Sequence, residues 1–354
     1  MNHYVRPEIA AMAGYAPGEQ PQGGKFIKLN TNENPYPASS AVRRAIVDAL
    51  DAGLAKYPDP LATTFRLQAS QLFGVPPEWI LCGNGSDDIL TIVTRALVGP
   101  GESLRLPYPS YILYRTLAEL QGARSEEVPF QADWTLPPAF SAATNGLKLV
   151  VLPNPNSPTG TVVPIDRLLE IADRLPCPLL VDEAYADFAD SNAIDLVRQS
   201  EKIMVSRTLS KSYALAGLRF GFLIAQPPLI QQFVKVKDSY NCDALSIAGA
   251  TAALADQEWV ATNRARVIAT RQRMADKLRG MGFTVPDSHA NFVWATRTDR
   301  PVKPLYEALK SQRILVRYMN YAGWGDGLRI SVGTDEQTDA CLGMLSGLLS
   351  AAAC

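Results

Sequence analysis

Between residues 79 and 225 the chain alternates short apolar runs with stretches of helical spacing. Runs at 79–82, 103–106, 147–152, 178–181, 202–205 and 220–225 have the length of strands buried on both faces, and helical spacing fills 89–97, 111–120 and 165–175 between them. Strands that alternate with helices in this way predict a mostly parallel sheet with helices on both faces. From residue 229 to about 278 the pattern turns mainly helical, and 280–286 breaks it. The segment 291–294, helical spacing at 303–310, apolar runs at 314–316 and 328–332 and a closing helix to about 349 predict a smaller α+β unit. Ahead of the alternation, residues 1–28 carry little periodicity and read as an extended arm. Helical spacing through Val42, Ile46, Val47 and Leu50 follows, and then a proline turn at 56–60 that presents Tyr57. The expected division is an arm at 1–28, a large α/β domain at 29–265 and a small α+β domain at 266–354.

Composition narrows the function. The chain has 354 residues, 47% of them apolar, and a formal net charge of −1, so it carries no basic field for a nucleic-acid backbone. Small molecules are the expected partners. No apolar run approaches a membrane span and the first residues lack a leader pattern, which points to a cytoplasmic chain. Five cysteines without a Cys-x-x-Cys pair, and only His3 and His289, disfavour a disulfide framework, a zinc site and a histidine-based triad.

The chemistry concentrates at 206–222, Ser-Arg-Thr-Leu-Ser-Lys-Ser-Tyr-Ala-Leu-Ala-Gly-Leu-Arg-Phe-Gly-Phe. Lys211 lies between two apolar runs among the hydroxyls of Thr208, Ser210, Ser212 and Tyr213, and Arg219 follows beside two glycines. An amine whose pKa is lowered by burial or by a nearby cation forms Schiff bases with carbonyl cofactors, and pyridoxal phosphate brings both an aldehyde and a phosphate. Taken alone, Lys211 reads more simply as a surface lysine in a polar loop, where most lysines lie. Two other stretches change the balance. Asp182 closes the run at 178–181, at the strand end where open α/β sheets bind ligands, and an aspartate there can keep a pyridine nitrogen protonated. The turn Asn154-Pro-Asn-Ser-Pro-Thr-Gly160 follows the run at 147–152. A further strand, glycine turn and helix at Gly83-Asn-Gly-Ser-Asp-Asp88 offers backbone N–H groups to an anion, with a plain helix cap by Ser86 or Asp87 as the simpler reading. Asp88 stands where a dinucleotide fingerprint needs its third glycine, so a single phosphate is expected.

These stretches resemble the fold type I pyridoxal-phosphate-dependent aminotransferases, nearly end to end, from Leu-Asn-Thr-Asn-Glu-Asn-Pro to Leu-Arg-Ile-Ser-Val-Gly. The most specific part is Thr-Leu-Ser-Lys-Ser-Tyr-Ala-Leu-Ala-Gly-Leu-Arg. The resemblance implies that Lys211 holds pyridoxal 5'-phosphate and carries a proton, that Asp182 pairs with its ring nitrogen, and that Tyr185 and the 154–160 turn address its ring hydroxyl. Relatives have asparagine where this chain has Ser157, which makes Asn156 the candidate for that contact. Tyr111 matches the ring-stacking tyrosine, with Tyr108 and Tyr114 as competitors. Arg219, Ser210 and the Ser86/Asp87 backbone are implied at the cofactor phosphate, joined by Tyr57 from the partner subunit of a homodimer. Tyr15, Arg317 and Arg329 are implied at the anionic group of the substrate. Two guanidinium groups suit a dianionic phosphate. Within the family the chain looks like the branch that moves the amino group of histidinol phosphate to 2-oxoglutarate. An aromatic amino-acid aminotransferase and an amino-acid-phosphate decarboxylase on the same fold are the alternatives.

Overall fold

The computed structural model describes residues 4–14, 18–21 and 23–351. Strand β1 (Ile27–Leu29) precedes the main run: β2 (Ile80–Gly83), β3 (Ser103–Tyr108), β4 (Arg124–Pro129), β5 (Leu147–Pro153), β6 (Leu179–Asp182), β7 (Ile203–Thr208) and β8 (Gly221–Ile224). These last seven form one sheet in the order β2-β8-β7-β6-β5-β3-β4. Only β8 runs against its neighbours, pairing antiparallel with β7 and β2. The central strands β6 and β7 are buried at every position because both faces are covered, and their polar residues fall at the strand ends. Alternate residues enter different cores: Leu179, Val181, Ile203 and Val205 pack on one side, and Leu180 and Met204 on the other.

The register brings the ligand-facing ends of these strands to one edge. Pro153 pairs with Asp182, Asp182 with Ser206, Thr208 with Gly221, and Gly221 with Gly83. Every loop that carried candidate chemistry therefore leaves the sheet on the same side, as parallel α/β sheets arrange their binding crevice.

A second sheet has the order β1-β10-β11-β9, with β9 at Phe292–Thr296, β10 at Ile314–Tyr321 and β11 at Gly325–Ser331. Its core takes Leu29, Val293, Ile314, Val316, Leu328 and Ile330 from the strands, and Met274, Leu278, Leu342 and Leu345 from the helices Gln257–Gly280 and Asp335–Ala351. The expected start of the large unit at residue 29 differs here: β1 pairs in parallel with β10, and Leu29 is buried in the smaller core. Three residues hold too little pattern to show which sheet they join. Around residue 265 the chain is one uninterrupted helix, Gln257–Gly280, whose Val260 packs in the large core and Val267 in the small one. Strand β4 has no counterpart in the apolar pattern, because as an edge strand it is only half-buried and begins with the polar run Arg-Ser-Glu-Glu. Among the described residues no helix is long and apolar enough to cross a membrane.

Candidate active site

Above that edge lies a cavity of about 520 Å³ lined by loops of both sheets. One end of it is built by close backbone approach. After β2, Gly85 takes φ +86° and caps the helix Ser86–Leu97 without any side-chain hydrogen bond. The helix thus starts at Ser86, earlier than its apolar spacing indicates, and neither Ser86 nor Asp87 caps it. Among the described residues no side chain caps its first turn, and Ser86 and Asp87 line the cavity. A Cβ on Gly221 would lie 2.5 Å from the Ser86 nitrogen, and one on Gly85 would lie 2.5 Å from Nη2 of Arg219. Arg219 itself has φ +54°. Its guanidinium donates to Ser210 Oγ (3.4 Å) and the Ala216 carbonyl (3.2 Å) and lies 3.5 Å from the Asp87 carboxylate. Guanidinium, hydroxyl and helix N-terminus converge on one spot, and that chemistry suits a phosphate. Asp88 stands behind it, its Oδ2 accepting from Asn84 N and Asn241 Nδ2, both at 2.9 Å.

Lys211 follows β7 at the floor of the cavity. Its Nζ donates to the Thr31 carbonyl at 3.2 Å, and the Asn34 amide donates to the Lys211 and Ser212 carbonyls at 3.0 and 3.1 Å. Burial, helped by the charge of Arg329, pushes the amine down from 10.5 to about 8. A folded pKa below the unfolded one means that the unfolded chain binds more protons between those values, so stability rises with pH through that window. Below about pH 8 the burden of a buried ammonium is fully present. In the ligand-free protein, Lys211→Met is therefore expected to raise the urea midpoint at pH 7. The gain should shrink as pH goes from about 8 towards 10.5; a gain that stays constant across that range would contradict the assignment.

Asp182, at the end of β6, is 5% exposed. Its Oδ2 accepts from the Tyr114 hydroxyl (2.6 Å), and its Oδ1 accepts from Ser206 Oγ and Ala184 N (both 3.2 Å). Burial raises its pKa above the usual carboxylate value in spite of these donors. Among the described residues it has no ion-pair partner, and a buried carboxylate on a cavity wall suits a cationic or protonated ligand atom. Tyr185, three residues on, accepts from Asn32 Nδ2 at 3.0 Å, and its ring centroid lies 5.9 Å from Lys211 Nζ. Tyr111 lines the cavity beside them, its hydroxyl 3.4 Å from Asp87 Oδ1 and its ring edge-on to Tyr114 at 5.5 Å.

Arg317 and Arg329 are register partners on β10 and β11, so both project from one face of the small sheet into the cavity. Arg329 donates to Ser157 Oγ (2.9 Å) and the Asn30 carbonyl (3.1 Å), and among the described residues its buried Nε has no partner. The 154–160 turn differs from the reading that favoured Asn156. Ser157 lines the cavity, whereas Asn156 is buried behind it and donates to the Pro109 carbonyl (3.2 Å) and Thr159 Oγ1 (3.0 Å). The tight turn sends successive side chains to opposite sides. Tyr57 is 80% exposed and stacks on Tyr240 with centroids 4.5 Å apart, away from this chain's own cavity. Tyr15 lies outside the described residues. Sequence reasoning gave no role to Asn32 and treated Tyr114 as a stacking alternative. Asn32 stands in the quoted Leu-Asn-Thr-Asn-Glu-Asn-Pro stretch, while Tyr114 looks like one more core position of its helix.

The arrangement combines a nucleophilic amine, an anion cradle, a buried acid and a guanidinium pair. A family profile described as aminotransferase class I and II matches residues 24–345. A histidinol-phosphate aminotransferase of Rhodopirellula baltica is 58% identical over 341 residues, covering 96% of this chain and 94% of that protein. Histidinol-phosphate aminotransferase 1 of Trichormus variabilis is 46% identical over 99% of this chain and 100% of its own length. Among solved structures, histidinol-phosphate aminotransferase from Sinorhizobium meliloti in complex with pyridoxal-5'-phosphate superposes with a TM-score of 0.88 at 25% identity, covering 99% of both chains.

Proposed function

Because the chain belongs to the class I and II aminotransferase family, we propose that it binds pyridoxal 5'-phosphate at Lys211 and moves the amino group of histidinol phosphate to 2-oxoglutarate. The observation that carries this reading is the place of Lys211: its amine faces a cavity with an anion cradle on one wall and a buried carboxylate on another. Those groups fit the cofactor. Arg219, Ser210 and the Ser86 and Asp87 N–H groups would hold its phosphate, Asp182 its ring nitrogen, Tyr185 and Ser157 its ring hydroxyl, and Tyr111 one ring face. When bound, the cofactor supplies an aldehyde for amino groups and a ring that accepts the electron pair released at the substrate carbon.

The remaining work is done by the protein. With its lowered pKa, the Lys211 amine would carry the proton taken from the substrate carbon and return it once the substrate amine has taken its place. Asp182 keeps the ring nitrogen protonated. Arg317 and Arg329 grip the donor's phosphate and afterwards the acceptor's carboxylate, with Tyr15 added from the arm. Steady-state kinetics on histidinol phosphate, phenylalanine, tyrosine, leucine and threonine phosphate, with product analysis, test the assignment. The highest kcat/KM is expected for histidinol phosphate, with glutamate formed from 2-oxoglutarate. Phenylalanine in first place, or carbon dioxide as product, would overturn it.

The active unit in this reading is a homodimer in the cytoplasm. The exposed Tyr57 and Tyr240 pair, with Val47, Leu50 and Leu54 exposed nearby in sequence, supports a covering second copy, and the buried unpaired thiols suit a reducing compartment. Tyr57 would reach the cofactor phosphate of the partner. Heterodimers of a Tyr57→Phe chain and a Lys211→Ala chain contain one site with both residues intact. Recovery of activity above either parent is expected, and none in verified heterodimers would exclude the shared site.

A further inference from the structure

Asn32 makes no contact that the reaction described above requires, yet it is 1% exposed, has φ +56° and lines the cavity. Its backbone N–H donates to Ser331 Oγ at 2.8 Å, and its Oδ1 accepts from that same hydroxyl at 2.9 Å. Its carbonyl accepts from Asn291 Nδ2 at 2.9 Å, and its Nδ2 reaches the Tyr185 oxygen at 3.0 Å. The orientation of the amide follows from these bonds. Ser331 Oγ already accepts from a backbone N–H, so its single proton needs an acceptor, and Oδ1 is the only one it meets among the described residues. Turning the amide over would leave a buried hydroxyl proton unpaired. With Oδ1 held by Ser331, Nδ2 faces Tyr185, and the tyrosine oxygen must accept. Its own proton then points elsewhere. The ring of Tyr185 is fixed edge-on against Phe292 at 5.0 Å, so that direction leads into the cavity.

We propose that Asn32 is a positioning residue that aims the Tyr185 proton at the cofactor's ring oxygen, with the amide locked by Ser331 of the small sheet. The inference rests on the reading of Tyr185 given above. An asparagine suits the position twice, because it tolerates a left-handed backbone and presents a donor and an acceptor on one short side chain.

The pH midpoint of the holoenzyme's visible absorbance reads this directly. A hydroxyl that donates to the ring oxygen draws electron density from it and makes the Lys211 nitrogen less basic, so loss of that donation should raise the midpoint by about one unit. The charges facing Lys211 and Tyr185, namely Asp87, Asp182, Glu33, Arg219 and Arg329, are unchanged in Tyr185→Phe and Asn32→Gly, whereas Asn32→Asp adds a carboxylate beside them. Tyr185→Phe sets the full shift. Asn32→Asp keeps the Ser331 contacts but turns a carboxylate oxygen towards Tyr185 that accepts its hydrogen bond, and the added negative charge acts in the same direction, so its upward shift should be at least that of Tyr185→Phe. Asn32→Gly fits the left-handed backbone and removes the donor. It should raise the midpoint in the otherwise native enzyme and add nothing on top of Tyr185→Phe.

A midpoint unmoved by both Asn32 variants while Tyr185→Phe shifts it would overturn the role of Asn32 alone. An Asn32→Gly shift of equal size in the Tyr185→Phe background would overturn it too, by showing that it does not act through the tyrosine. No shift in Tyr185→Phe itself would overturn the Tyr185 reading together with the inference.

Discussion

Lys211→Ala is expected to lower kcat by ~10⁴-fold or more, because it removes both the nucleophilic amine and the group that carries the proton. The rest of the site should survive the change. Arg219, Ser210 and Asp182 are held by their own partners, and the Lys211 backbone is clamped by Asn34, whose donation to the carbonyl does not depend on the side chain. The protein should therefore remain folded, with thermal stability at neutral pH no lower than that of the ligand-free native chain, since a buried ammonium is gone. Rapid-mixing measurement of glutamate formed in one turnover, beside circular dichroism, checks both statements. Activity within tenfold of the native enzyme would place the chemistry on another residue.

Asp182→Asn should cost about 10²–10³ in kcat, the scale on which loss of one preorganised electrostatic group is felt. The substitution is nearly isosteric. An amide oxygen can keep the bonds from Ser206 and Ala184 N, so the strand end and its register with Pro153 and Ser206 need not move. What disappears is a negative charge in a place where burial already makes charge expensive. That charge is retained in the native protein only if it stabilises a positive partner, which the ring nitrogen of the proposed cofactor would provide. The loss should fall on kcat with little change in KM, because the arginines proposed to grip the substrate come from β10 and β11. Half-reaction rates with histidinol phosphate measure it. An equal fall in binding and turnover would indicate that Asp182 only supports the fold.

The large sheet was legible because its strands are buried on both faces. Leu179, Leu180 and Val181 are all fully buried, so their run is apolar without a gap and stands out from the helices around it. Half-buried elements were harder to see. Strand β10 runs to Tyr321 and β11 begins at Gly325, but only Ile314 to Val316 and the residues from Leu328 onward are apolar enough to be noticed. Lys211, Asp182 and Arg219 were visible because ionisable side chains next to buried strands are unusual. The supporting residues were not. Tyr114 sits at a core position and is fully buried, and nothing in helical spacing says that its hydroxyl meets Asp182 from a different strand. Asn156 and Ser157 are adjacent, and only the path of the turn decides which one faces the cavity. Asn32 acquires its partners from residues 153 and 299 positions away, a relation that the sequence does not display.

The most direct test is borohydride reduction of the purified enzyme, followed by peptide mass mapping. The visible absorbance should be lost on reduction, and the mass of the reduced cofactor should appear on the peptide containing Lys211 in the native chain but not in Lys211→Ala. An adduct on any other lysine, or a native protein that carries none after incubation with pyridoxal 5'-phosphate, would contradict it.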